Sequence, residues 1–312
     1  MHGDGLNPRS PDELDAMLLR AAELLEERHV VAETGRRGAG MLRTAVAQQR
    51  YRDHAEAPVA LADALTSDLR LASGDNHLFV EHLGDEGTPA DDWIERWRQE
   101  GPSRNWGISA VRLLPGNIGY LKLTSFYTYA LAVDTLRAAM ELVRHSAGLV
   151  LDLTDNGGGD DETANAVMDT FLDLDTPRPL LLESREGREP PRPPTDLAWP
   201  HYGTERPLAI LIDRRTFSAP EAVAYALQQE RRAVVVGSRS AGGANMTDDA
   251  LPLPAGFRIG IPNRRPVGRL TGTNWEGVGV QPDEIVPGDG ALWRAWEMIR
   301  LRLAERHHRG HA

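Results

Sequence analysis

The sequence predicts an α/β fold, a βαβ core preceded by a small N-terminal helical domain and closed by a C-terminal helix. Three observations carry this. Up to about Arg70, apolar residues recur at three- and four-residue spacing, the period of amphipathic helices. From Ser109 onward, apolar runs of strand length alternate with helical segments, which implies βαβ units in a mainly parallel sheet. A glycine cluster, Gly157-Gly158-Gly159, directly follows one of those runs and precedes a helix, as loops at the carboxyl ends of parallel strands do.

Taken in order, residues 10–27 read as a helix, with Ser10 as N-cap, Pro11 in the first turn and Leu14, Met17, Leu18, Ala21, Leu24 and Leu25 on one face. Further helices are expected over residues 37–49 and 58–70. The turn Gly74-Asp75-Asn76-His77 ends the helical block and leads into a short strand, 78–81. The expected domains are therefore 1–74, helical, and 75–312, α/β. Residues 84–106 read as a polar loop with a helical turn at 92–98. Two strands flank Pro115-Gly116-Asn117, a hairpin signal. A helix over 130–145, a buried strand over 148–153, a helix over 162–172 and a strand over 180–183 follow. Residues 184–200 are charged and proline-rich and read as a surface excursion. The apolar runs 208–212 and 233–236 bracket a helical segment, 222–229. Strands resume through 257–261, and a helix over 290–306 ends in a tail expected to be disordered from about residue 307.

The chain has 312 residues and a net charge of −11, from 35 basic and 46 acidic side chains. That balance argues against nucleic acid or an anionic membrane as the main partner. With no cysteine, disulfides, thiolate catalysis and cysteine-ligated metals are excluded. No HExxH or comparable spacing occurs, so neither a metal nor another cofactor is expected. The N-terminus lacks a signal-peptide pattern, and no apolar run approaches the roughly 20 residues that span a bilayer. The expected setting is cytoplasmic, and the expected partner is a peptide or small-molecule substrate. Association into a homo-oligomer is left open.

Chemistry concentrates in four places. Leu208 to Ile212 leads through Asp213-Arg214-Arg215-Thr216-Phe217-Ser218 into Ala219-Pro220-Glu221, a strand, turn and helix start with one serine ahead of the helix. Ser218 is either the N-cap, a role serine fills well, or a nucleophile with first-turn N–H groups beside it to hold an oxyanion. The glycines at 157–159 permit close approach of a substrate backbone, and neither a phosphate-loop nor a dinucleotide spacing is present. His77 stands at the edge between a turn-rich approach and an apolar strand, whereas His29 and His54 fall in or between helices. Glu276 lies in a glycine-punctuated stretch, Asn274-Trp275-Glu276-Gly277, where a carboxylate could orient a catalytic imidazole.

Together these segments resemble the C-terminal-processing (tail-specific) serine protease family, whose core is shared with tricorn protease. The likeness is greatest to the branch containing the modules of interphotoreceptor retinoid-binding protein. It rests on Leu65-Thr66-Ser67-Asp68-Leu69, Gly74 to Leu78, Ile118-Gly119-Tyr120-Leu121, Leu151-Asp152-Leu153 with the glycines, Thr216 to Glu221, Val236-Gly237 and Asn274 to Val280 with Pro282-Asp283. The resemblance implies a ClpP/crotonase-like core and a serine hydrolase of peptide or amide bonds. It implies Ser218 as nucleophile, His77 as base, Glu276 as the carboxylate behind it, and oxyanion donors from Gly158 and Ala219. Asn76 occupies the fourth, supporting position, where tricorn protease has serine. Many members instead use a lysine in a Gly-Lys-Gly turn. The matching position is Gly243, in Ala241-Gly242-Gly243-Ala244, so a Ser–Lys dyad is excluded. The family's PDZ domain finds no room between Leu78 and Ser109. Two other functions fit the same resemblance: a hydrophobic-ligand-binding module of retinoid-binding type, and a crotonase-like catalyst that is not a hydrolase. With His77 as base, the rate is expected to rise through about pH 6 to 7.5, around the ordinary histidine pKa of about 6.5.

Overall fold

The computed structural model describes residues 10–54, 56–83 and 92–309. The helices are α1 (Pro11–Arg28), α2 (Ala32–Ala47), α3 (Pro58–Ser73), α4 (Asp92–Glu100), α5 (Tyr129–Val143), α6 (Asp161–Asp169), α7 (Ala219–Gln229) and α8 (Gly290–Arg309). The strands are β1 (Phe79–His82), β2 (Ile108–Leu114), β3 (Ile118–Leu123), β4 (Gly148–Asp152), β5 (Leu180–Ser184), β6 (Gly187–Arg188), β7 (Leu208–Ile212), β8 (Val234–Gly237), β9 (Ala250–Pro252), β10 (Phe257–Gly260), β11 (Arg264–Gly268) and β12 (Glu284–Ile285). The chain divides into two compact units that are not contiguous in sequence. The first comprises Met1–Trp93, Leu182–Glu189 and Asn245–Pro266; the second comprises Ile94–Leu181, Pro190–Ala244 and Val267–Ala312. The sequence boundary at residue 74 is therefore replaced by one that returns later parts of the chain to the helical block.

In the first unit, Ser10 accepts the Glu13 N–H while the Glu13 carboxylate accepts the Ser10 N–H, a reciprocal cap that starts α1. Leu14, Met17, Leu18 and Leu25 pack with Leu42, Leu61, Leu65 and Leu69 of the next two helices. Helix α2 begins five residues before its expected start. Gly35 and Gly38 lower the local helix propensity, but close helix packing overrides it, since a Cβ on Gly35 would lie 2.3 Å from the Leu25 carbonyl oxygen. The apolar face left by three helices is closed by strands from far along the chain. β1, β10 and β9 form an antiparallel sheet in which Phe79 pairs with Gly260 and Ile259 with Leu251, and Phe257 and Ile259 complete the helical core.

The second unit is built on a six-stranded sheet of order β12-β8-β7-β4-β3-β2, parallel except for the β2–β3 hairpin. β4 and β7 are buried along their whole length, which explains the apolar sequence of β7 and of β4 up to Asp152. Alternate side chains serve opposite faces. Leu149, Leu151, Leu208 and Ile210 join the core with α5, α6 and α7, whereas Val150, Ala209 and Leu211 pack with Ala291, Ala295 and Ile299 of α8.

One expectation is extended here and one corrected. The 184–200 stretch lies at the surface as expected, exposed or half-buried except at Trp199, and it is anchored there: Trp199 donates to Thr170 Oγ1 at 2.9 Å, and Arg192 forks onto the buried Asp169. Helix α8 runs on to Arg309, through positions expected to be disordered, and residues 310–312 lie outside the described ones. Among the described residues no helix is long and apolar enough to cross a membrane. The carboxyl ends of neighbouring β4 and β7 lead into the glycine cluster and the Ser218 turn, where ligands bind in open parallel sheets.

Candidate active site

Ser218 adopts φ 71° and ψ −119° immediately before α7. An ordinary N-cap has extended backbone with negative φ, so this serine sits in a strained turn of the kind that presents a nucleophile between strand and helix. The surroundings enforce it. Asp213 Oδ1 accepts the Arg215 and Thr216 N–H groups at 3.0 Å each, the Thr216 hydroxyl donates to the Leu153 carbonyl at 2.9 Å, and Phe217 N–H donates to the Asn156 carbonyl at 3.0 Å. Ser218 N–H donates to Glu221 Oε2 at 2.7 Å. Ala219 N–H begins the helix and has no intrahelical acceptor.

The glycine cluster comes against this turn. A Cβ on Gly158 would lie 3.1 Å from Ser218 Cβ and 3.0 Å from the Phe217 carbonyl oxygen, and its φ is 110°. Gly158 therefore contributes the absence of a side chain beside the serine. Its expected role as an oxyanion donor is not met in this conformation, because its N–H donates to Asn156 Oδ1 at 3.0 Å. Asn156 is fully buried and also donates Nδ2 to the Leu123 carbonyl at 3.0 Å. It ties the glycine turn to β3 and, through its own carbonyl, to the Ser218 turn.

Glu276 is held in the same unit. Its Oε2 accepts Ala244 N–H at 2.6 Å, and its own N–H donates to Asn274 Oδ1 at 3.1 Å. The adjacent Trp275 is buried, donates Nε1–H to the Gly243 carbonyl at 2.8 Å and packs on Tyr225, with ring centroids 5.0 Å apart. Glu221 is buried as well. Burial pushes its carboxyl up, opposed by the Ser240 hydroxyl and the Gly243, Ser218 and Gly242 amides.

His77 and Asn76 belong to the first unit. His77 is half-buried, and burial lowers its imidazole pKa to about 4, with Asp75 opposing the shift and Arg70 adding to it. The neutral form therefore extends well below the pH expected from sequence. Asn76 is half-buried, and the side chain that reaches the His77 backbone is its neighbour Asp75, whose Oδ1 accepts the His77 N–H at 2.9 Å. Asp75 Oδ2 takes Asn245 Nδ2 at 2.7 Å and His29 Nε2 at 3.2 Å. His29 Nδ1 accepts the Val31 N–H at 3.0 Å, which leaves the ring proton on Nε2 for Asp75. Burial disfavours ionisation of Asp75, yet hydrogen bonds from His29, Asn245 and the His77 backbone outweigh it and hold the carboxyl below its usual range.

Residues 117–286 match peptidase family S41, and residues 11–102 match the N-terminal domain of peptidase S41 in eukaryotic IRBP. The chain belongs to peptidase family S41. A carboxy-terminal-processing protease of Bartonella bacilliformis is 29% identical over 219 residues, 65% of this chain and 46% of that protein. This S41 chain thus spans less than half the length of that relative. A lipoprotein from Streptococcus agalactiae shares its fold with a TM-score of 0.59 at 15% identity, over 96% of this chain and 100% of that one. Tricorn protease does so with a TM-score of 0.58 at 11% identity, over 93% of this chain and 37% of that one.

As an S41 chain it lacks lysine at position 243, and Lys122 is its sole lysine. Lys122 Nζ donates to Thr154 Oγ1 at 2.8 Å and lies 3.6 Å from Asp152 and 3.8 Å from Asp155, between two carboxylates. Asn156, Glu221 as a linking group and the His29–Asp75 pair are site features of this S41 chain that the sequence motifs do not single out. For Glu221 the local signal is the Ser-x-x-Glu spacing of a capping box. No local signal ties His29 to an aspartate 46 residues away.

Proposed function

We propose that this chain is a serine peptidase that hydrolyses peptide bonds, with Ser218 as nucleophile, His77 as general base and Glu276 as the carboxylate that supports the imidazolium. The observation that carries it is the strained backbone of Ser218 at the start of α7, beside a glycine with no side chain to block the hydroxyl. His77 gains weight from the chemistry of its competitor, since the sole lysine lies between Asp152 and Asp155.

In the proposed reaction, Ser218 Oγ forms a bond to the scissile carbonyl carbon as its proton passes to His77 Nε2 or Nδ1. The oxyanion is met by Ala219 N–H at the positive end of α7. The C–N bond breaks as the imidazolium protonates the leaving amine. Water then gives its proton to His77 and attacks the acyl ester, releasing the peptide acid and restoring the Ser218 hydroxyl. Substrates cut near their carboxyl termini are the class we infer, from the names of the carboxyl-terminal-processing relatives.

The test is labelling with a fluorophosphonate followed by location of the modified residue. Modification at Ser218, and loss of both labelling and peptide turnover in Ser218→Ala, is the expected result. Label elsewhere, or turnover at the wild-type rate in Ser218→Ala, overturns it.

A further inference from the structure

Glu221 lies in the first turn of α7, fully buried, and its carboxylate is shared between two segments, the serine turn and residues 240–243. Oε2 accepts Ser218 N–H at 2.7 Å and Gly243 N–H at 2.9 Å; Oε1 accepts Gly242 N–H at 2.7 Å and the Ser240 hydroxyl. The Ser240 oxygen in turn accepts Val280 N–H at 2.6 Å. The carbonyls of Gly242 and Gly243 accept Gly277 N–H at 2.9 Å and Trp275 Nε1–H at 2.8 Å, and Ala244 N–H holds Glu276 at 2.6 Å. One carboxylate is thus common to the serine turn and to the segment from which Glu276 hangs, and every bond stays within the second unit.

The local sequence is fitted to this arrangement. Gly242 has φ 90°, and a Cβ there would lie 2.9 Å from the Gly279 amide nitrogen. Backbone amides at 242 and 243 can therefore close on Glu221 while their carbonyls close on the Glu276 loop. A buried carboxylate with four donors forms short, charge-assisted bonds and resists displacement. That is what a serine at positive φ requires to stay where it is.

We propose that Glu221 is a positioning residue that holds Ser218 and Glu276 in one arrangement through the Ser240–Ala244 segment. The inference rests on the roles assigned to those two residues above. Glu221→Gln keeps the volume but turns an NH2 group toward a set of donors, so at least one amide loses its acceptor.

The test combines a double-mutant cycle with amide exchange. Glu221→Gln is expected to lower kcat roughly 10- to 100-fold with little change in KM, the scale of hydrogen bonds to a charged group. Glu221→Gln with Glu276→Gln together should lose less than the product of the single losses, by about tenfold. Amide exchange at Ser218, Gly242, Gly243 and Ala244 should accelerate together in Glu221→Gln, while the α1–α3 amides stay as in the wild type. If Glu221→Gln does not fold, Ser240→Ala removes one donor and should give the same pattern at smaller amplitude. Multiplicative losses in the cycle, or wild-type exchange at those four amides in a folded variant, overturn the proposal. A wild-type protein that neither labels nor turns over peptide counts against the hydrolase assignment, and the exchange pattern still judges the linkage made by Glu221.

Discussion

Substituting alanine at each of the three consecutive glycines, 157, 158 and 159, should give three different outcomes. Gly157 is exposed, and a Cβ there meets nothing within 4 Å. Gly157→Ala should be neutral or stabilise by up to about 1 kcal/mol, because it only restricts the unfolded chain. Gly158→Ala must place an L-residue at φ 110°, at a cost of roughly 1–2 kcal/mol. Its methyl would sit 3.1 Å from Ser218 Cβ, so the serine must yield by a few tenths of an ångström. A total loss of about 2 kcal/mol corresponds to a melting temperature lower by roughly 4–8 °C. Displacement of a catalytic group by about 1 Å costs on the order of 10²-fold, so a 10- to 100-fold fall in kcat is the expected scale. Gly159→Ala places its Cβ 1.8 Å from the Phe126 carbonyl oxygen, which also accepts Asp160 N–H at 2.8 Å. That contact cannot relax without breaking the turn, and the variant should lose more than about 4 kcal/mol or fail to fold. Calorimetry, peptide turnover and the rate of fluorophosphonate labelling on the three variants decide the matter. Gly158→Ala with the activity and melting temperature of Gly157→Ala would refute the placement of Gly158 against the serine.

The pH profile follows from burial of His77. With the imidazole lowered to about 4, kcat/KM should rise through about pH 4 and be level by neutrality, and a limb at pH 6 to 7.5 would show an unperturbed base. The linked stability is full above the unfolded histidine value of about 6.5 and is lost as the pH falls from there through about 4, measurable by denaturant titration across that range. Glu276→Gln keeps an acceptor for the Ala244 N–H but removes the charge, so turnover should fall roughly 10²- to 10⁴-fold with a nearly unchanged melt; full activity would remove Glu276 from the site. Asp75→Ala leaves His29, Asn245 and the His77 N–H without their buried acceptor and should cost about 3 kcal/mol, read as a lower melting temperature. Loss of less than about 0.5 kcal/mol would mean that water replaces the carboxylate at no cost.

Much of this molecule is legible in its sequence because its signals are local. Helical spacing from Leu14 to Leu25, the Pro115-Gly116-Asn117 turn and the apolar runs of β4 and β7 each report their own surroundings within a few residues, and they gave the α/β order correctly. The strand, turn and helix around Ser218 could likewise be read from Ile212, Pro220 and Glu221. Local propensity stops being a guide where it meets close packing. Gly35 lies before the expected start at residue 37, yet α2 runs through it because α1 leaves no room there for a side chain.

What the sequence alone determined is the main helices and five of the six strands of the central sheet (β2, β3, β4, β7 and β8), the serine on its turn and the absence of a lysine at position 243. Only tertiary structure decided how those pieces are held. It closed the helical core with strands from residues 250–260, turned the Gly158 amide toward Asn156, and buried a carboxylate at Glu221 where four donors converge. It likewise paired His29 with Asp75 behind the His77 backbone. The reason is physical: propensity and hydrophobic period are properties of neighbours in the chain, whereas burial and the hydrogen-bond partners of a buried polar group are set by residues that meet only when the chain has folded.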